Sequence, residues 1–151
     1  MKKLITFLLA AGFACMSVAG HAQTITAKTT ASEEPTPANV LKWTKEVLPK
    51  MEMLVPKLEQ IKANNPGKPA SDALRLLASV SQMKAINTKG TKLRAAEAKR
   101  YYDLIAATVN SFYIECKSQN GNVCCMDCQN HGILGIWCFA NCFVARFPDR
   151  N

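Results

Sequence analysis

No uninterrupted apolar stretch of this 151-residue chain reaches the length of about 20 residues that a bilayer-crossing helix needs, which argues against a polytopic membrane protein. Period-two alternation of apolar and polar residues is missing, and with it the usual mark of a half-buried strand. No phosphate loop, metalloprotease helix or serine elbow occurs, so the sequence offers none of these enzyme signatures. Histidine is scarce, with only His21 and His131, and residues 23–115 hold no cysteine. Any disulfide framework must therefore lie toward the end of the chain.

The N-terminus accounts for some of what is present. Met1-Lys2-Lys3 is a basic opening, Leu4 to Ala14 is an apolar run, and Gly20-His21-Ala22 supplies the small residues expected before cleavage at Gln23. Residues 1–22 read as a secretory signal peptide, cleaved near Ala22/Gln23. A lipidated Cys15 is not expected, because Gly12-Phe13-Ala14 lacks the leucine that should precede such a cysteine. Removing residues 1–22 takes Lys2, Lys3 and Cys15 with it, leaving 129 residues, a charge of +6 and six cysteines. An even cysteine count in a small exported chain predicts disulfides in an oxidising compartment, periplasmic or extracellular.

Five stretches follow from composition: a signal peptide at 1–22, a flexible leader at 23–36, a helical bundle at 37–115, a cysteine-rich helical hairpin at 116–147 packed on the bundle, and a tail at 148–151. In the bundle, Val40, Trp43, Val47, Met51, Leu54, Leu58 and Ile61 recur at steps of three and four, which predicts one amphipathic helix. Pro37 suits its start, and Pro49 and Pro56 inside the pattern predict a kink or break near Leu48. A second helix is expected from an N-cap at Ser71 through Ile86, closed by Asn87-Thr88-Lys89-Gly90. A third begins near Thr91 and runs to Cys116. The fold class is therefore all-α, a three-helix antiparallel bundle followed by a disulfide-stapled helical hairpin.

The charge and the cysteines occupy different halves. Lys42 to Arg100 carries thirteen Lys/Arg against Glu46, Glu52, Glu59, Asp72 and Glu97, while Tyr101 to Asn151 is close to neutral. The basic face predicts either simple solvation or attraction to an anionic membrane or cell-wall surface. Nucleic acid is not expected as a partner, since no reading motif is present.

All six cysteines after the signal peptide lie between Cys116 and Cys142. Cys124-x3-Cys128 and Cys138-x3-Cys142 are i, i+4 pairs, so each lies on one face of a helix. His131-Gly132 falls between them, where the chain could turn. Antiparallel helices would pair outer with outer and inner with inner, which predicts Cys124–Cys142 and Cys128–Cys138. Cys116–Cys125 would then tether the hairpin to the third helix. Six cysteines nevertheless permit 15 connectivities, and spacing alone does not choose. Zinc is the rival use of Cys125, Cys128, His131, Cys138 and Cys142, but the exported setting favours disulfides. No metal or cofactor is expected, and Cys125-Met126-Asp127-Cys128 lacks the βαβ setting of a thioredoxin-like motif.

The spacing from Cys124 to Cys142 resembles the α-hairpinin scaffold, a family of small secreted helical hairpins with C-x3-C, a spacer and C-x3-C. Members act as antimicrobial peptides, protease inhibitors or toxins, so the resemblance implies a rigid display surface and no single activity. Cys124-Cys125 followed by Asp127 and His131 also partly resembles secreted phospholipase A2. Its His-Asp dipeptide and calcium loop are absent here, which leaves His131 and Asp127 as the only catalytic candidates.

Ile133 to Phe147 contains no charge before Arg146. Such a helix packs into a core or presents Trp137, Phe139 and Phe143 as an interaction surface. The expected function is that of an exported, disulfide-stabilised binding module whose partner is a protein or an anionic membrane or cell-wall surface. A membrane-active or antimicrobial protein is the alternative, and a phospholipase A2-like lipolytic enzyme a weaker one.

Overall fold

Thr36 sets the first helix in place by accepting a hydrogen bond from the backbone N–H of Asn39 at 3.3 Å, directly ahead of Pro37. A proline at this position loses nothing, because the first helical N–H groups have no partner within the helix. The computed structural model describes residues 34–118 and 127–148. Its described residues form five α-helices and no strand: α1 (Pro37–Glu52), α2 (Val55–Asn64), α3 (Lys68–Lys89), α4 (Ala95–Ser118) and α5 (Gly135–Ala145). Short 3₁₀ segments, Gly90–Lys92 and Gln129–Leu134, lead into the last two.

The chain is all-α, as its periodicity predicts. The break in the first apolar pattern, however, lies at Met53-Leu54 and not near Leu48. Pro49 is accommodated inside α1, whereas the ring of Pro56 crowds the carbonyl of Glu52, four residues earlier, where α1 stops. The proline then serves as an early residue of α2. The expected N-cap at Ser71 is also displaced. Gly67, at φ 84°, begins α3 four residues sooner, and Ser71 N–H already donates to the Gly67 carbonyl. Gly90, at φ 52°, closes α3 where Asn87-Thr88-Lys89-Gly90 predicts an end.

α3 packs against α1, α2 and α4, while α5 touches α1, α2 and α4. The stripe of α3 is Ala73, Leu76, Val80, Met83 and Ile86, all buried. It meets Val47, Leu48 and Met51 of α1 and Leu58 and Ile61 of α2 within one continuous core. From α4 this core receives Ile105, Val109 and Phe112, and from α5 it receives Ile136, Phe139 and Phe143. Phe112 stacks on Phe139 at 6.3 Å and meets Phe143 edge-on at 6.0 Å. Such contacts favour a fixed docking angle beyond what area alone supplies. A small recess bordered by Trp43, Tyr102, Ile133 and Ile136 holds about 20 Å³. That is room for about one water.

Ion pairs hold the helix ends. Lys68 Nζ donates to Asp72 Oδ2 at 2.8 Å and to Glu115 Oε2 at 2.6 Å, tying the start of α3 to the end of α4. Asp72 is buried, so its charge needs these donors. Both hydrogen bonds, that to Asp72 first, raise the Lys68 pKa above its usual value. Glu97 accepts from the backbone N–H of Arg94, as in a capping box, and from Lys89 Nζ at 2.7 Å. The Lys89 ammonium is the main cause, with Arg94 next, of a Glu97 pKa lowered to about 2.

Replacing Leu76 by Ala should destabilise the fold by about 2 to 5 kcal/mol in urea titration, because a fully covered side chain leaves a cavity. For Glu97 the folded pKa lies below the unfolded one. Its stabilisation is therefore complete above pH 4.5 and lost as pH falls toward 2. Glu97→Gln should flatten this acid limb of the stability profile, and an unchanged limb would deny Glu97 that role.

Candidate functional site: a cystine cluster and a cationic cleft

α5 carries Cys138 and Cys142 one turn apart, so their sulfurs leave the same helix face. Cys128 faces both. It is bonded to Cys138, with the two Cα atoms 5.4 Å apart, and its Sγ lies 3.8 Å from that of Cys142. All three sulfurs fall within 4.8 Å of one another. Cys116 and Cys142 are disulfide-bonded as well. The partners expected for them, Cys125 and Cys124, lie outside the described residues. The cluster has the spacing of a metal-ligand set, but a sulfur held in a disulfide is not a thiolate donor.

Gly135 makes this arrangement possible. Where α5 begins, a Cβ at this position would stand 2.8 Å from the carbonyl oxygen of Cys128. No side chain fits between the two segments. The Cys128 backbone thus sits directly on the helix that carries both other sulfurs, and Cys128 and Cys142 are buried.

The aromatic residues of α5 divide between core and surface. Phe139 is 2% and Phe143 5% exposed, both against Phe112, so neither contributes to an exposed aromatic patch. Only Trp137 reaches solvent in part, with the Lys50 ammonium 5.1 Å from its ring centre. An apolar helix buries its widest side chains when three neighbouring helices offer a surface for them. Trp137 and Cys138 border a hollow of about 190 Å³ together with Glu46, Lys50, His131 and Leu134.

His131 and Asp127 are both exposed, and no hydrogen bond joins them. The turn expected at His131-Gly132 is the 3₁₀ helix Gln129–Leu134, which leads straight into α5. Three residues per turn separate positions four apart, whereas an α-helix aligns them. The carboxylate therefore does not orient the imidazole as general acid–base work requires.

A second feature was not marked by any motif. The start of α1 and the Gly90–Lys92 turn enclose a cleft of about 570 Å³, lined by Pro37, Ala38, Leu41, Lys42, Lys45, Gly90 and Thr91. Most basic residues elsewhere have acidic partners. Lys84 meets Glu52, Lys62 meets Glu59, Lys89 and Arg94 meet Glu97, and Lys99 meets Asp103. Lys42, Lys45 and Lys92, all exposed, have none among the described residues. The first turn of α1 carries no acid to offset its positive end. Off-stripe lysines are visible in sequence, but which of them find a carboxylate is decided by helix packing.

The chain matches no protein-family model, no curated protein and no solved structure.

Gly135→Ala should cost about 1 to 3 kcal/mol in thermal or urea unfolding, because backbone must move to admit the methyl group. Unchanged stability would mean that the approach of Cys128 to α5 is not tight.

Proposed function

We propose that this protein is an exported binding module that recognises an anionic macromolecular surface through the lysine-rimmed cleft at the start of α1. In this reading residues 1–22 are removed as a signal peptide. Helices α1 to α4 act as the bundle, and the cysteine-rich segment acts as a disulfide-stapled hairpin that braces its far side, as the α-hairpinin resemblance suggests. The observation that carries the proposal is the pair Lys42 and Lys45, without acidic partners among the described residues, beside an apolar floor of Pro37, Ala38 and Leu41, with Lys92 next to the lining residue Thr91. Ammonium groups without an acidic partner among the described residues, beside a helix N-terminus, make a local positive field, which attracts anions and favours association.

The burial of Phe139 and Phe143 favours surface binding over membrane insertion. Insertion needs apolar side chains that can leave the protein for lipid, and these two are spent on the core. The described helices also contain none long and apolar enough to cross a membrane. A lipolytic role has the least support, since His131 and Asp127 are not joined.

The test uses the oxidised chain beginning at Gln23, titrated with phosphatidylglycerol vesicles and separately with polyglutamate, followed by tryptophan fluorescence. Binding should weaken steeply with salt, and the triple variant Lys42→Glu, Lys45→Glu, Lys92→Glu should lose at least about tenfold in affinity while keeping its helical circular dichroism. Equal binding by the variant would discard the cleft as the site. Release of trapped dye from the vesicles by the unmodified chain would favour the membrane-active reading instead.

A further inference from the structure

A glutamate followed four residues later by a lysine on one helix normally meets it across the turn between them. This protein makes such pairs even in the less favourable order, with Lys68 ahead of Asp72 and Lys99 ahead of Asp103. Glu46 and Lys50 of α1 have the favourable order and spacing, yet they do not pair. The Lys50 ammonium lies over the Trp137 ring, 5.1 Å from its centre, and the Glu46 carboxylate has no hydrogen bond or ion pair among the described residues. Both residues line the same hollow of about 190 Å³, so two opposite charges border one space without neutralising each other. We propose that this hollow is a binding site for a free zwitterionic amino acid with an aliphatic side chain, its ammonium taken by Glu46 and its carboxylate by Lys50 and His131. This goes beyond the recognition of an anionic surface and does not rest on it.

The residues around the hollow supply each part of that recognition. Glu46 and Lys50 stand about 6 Å apart along the axis of α1 at 1.5 Å per residue, and their long side chains can bracket a molecule whose two charges are attached to one carbon. The Trp137 ring keeps the ammonium of Lys50 beside the hollow, and that ammonium still has hydrogen-bond donors to offer a carboxylate. His131 is exposed, has no partner among the described residues, and adds a ring N–H. Val47, Leu134 and Trp137 give the aliphatic side chain an apolar wall. A ligand with a single charge is disfavoured, since a plain anion meets Glu46 and a plain cation meets Lys50.

Size narrows the class further. A hollow of about 190 Å³ equals roughly six waters at about 30 Å³ each, and it falls below the roughly 300 Å³ where pockets for drug-sized ligands begin. A free amino acid is of that size, and a longer peptide or a nucleotide is not. Glu46 and His131 are exposed, so the hollow is open to solvent, while Val47 beneath them is buried. Cys128, directly ahead of the Gln129–Leu134 segment that carries His131 and Leu134, is bonded to Cys138 of α5. That bond fixes two walls of the hollow against each other before a ligand arrives, which lowers the ordering cost of binding.

The test titrates the isotope-labelled oxidised chain beginning at Gln23 with L-leucine, and in parallel with N-acetyl-L-leucine, which lacks the ammonium, and L-leucinamide, which lacks the carboxylate. Nuclear magnetic resonance should show saturable shifts of the Trp137 indole N–H and of the Glu46 and His131 amides with leucine, and an affinity at least about tenfold lower for either analogue. Glu46 is exposed and Lys50 half-buried, so Glu46→Gln and Lys50→Gln remove no core contact. Each should bind leucine at least about tenfold more weakly while keeping its helical circular dichroism. The absence of a saturable shift with leucine would overturn the proposal. Equal affinity for leucine and its two analogues would do the same, as would unchanged leucine binding by both variants.

Discussion

An uncharged helix cannot be left in water, and the seating of α5 is the constraint on which the rest of this structure depends. Gly135 to Ala145 contains no ionisable side chain apart from its cysteines. Left alone, an 11-residue helix of this kind would be marginal in water, so its stability must come from the surface that covers it. That surface is supplied by α1, α2 and α4, with Phe112 as the ring onto which Phe139 and Phe143 close. Gly135 then lets the Cys128 backbone approach without a side chain between them. The Cys128–Cys138 bond joins segments whose positions packing has already set.

This order explains what was readable in the sequence. The apolar spacing in α1, α3 and α4 marked residues that are indeed buried, such as Val47, Leu76, Met83, Ile105 and Phe112. Local competition was harder to read. Pro49 and Pro56 carry the same intrinsic penalty, but only Pro56 coincides with the end of α1, because the packing of the first helix onto α3 carries it through Pro49. Ser71 has the chemistry of an N-cap, but Gly67 with its positive φ turns the chain earlier and lets Lys68 and Pro69 begin α3. The site was less legible still. His131 and Asp127 are separated by four positions, which aligns two side chains on an α-helix but not on the 3₁₀ segment they enter. For Trp137, Phe139 and Phe143 the composition of α5 could not say which ring faces inward. That depends on where Phe112 stands.

The electrostatics follow the same geometry. Acidic side chains are concentrated at junctions between helices: Asp72 and Glu115 where α3 meets α4, Glu97 at the connection from α3 to α4, and Glu52 opposite Lys84. With few acids in the first half, this placement leaves the first turn of α1 itself without any, with Glu34 just ahead of it. Surface ion pairs contribute little to stability individually, on the order of 0 to 1 kcal/mol. Their larger effect here is to determine where the excess positive charge is left, Lys42, Lys45 and Lys92 among the places.

The lysine-lined cleft and the hollow beside Cys138 lie along one helix, α1. The cleft is formed by the start of α1 and the Gly90–Lys92 turn, whereas Cys138 opens beside Lys50, on the last turn of α1. From Lys45, which lines the cleft, to Lys50 the helix advances about 7.5 Å at 1.5 Å per residue. That distance is within the screening length at physiological salt, about 8 Å, so an anion bound at the cleft is only partly screened from the hollow beside Cys138. Any mechanical coupling between them would have to run through α1 itself, whose buried side holds Val40, Val47 and Met51 in the same core as α5. A close-packed core of this kind resists gradual deformation. An anion seated at the start of α1 therefore acts on the hollow beside Cys138 chiefly through its field, and through the core only where the whole helix shifts against Phe139 and Phe143.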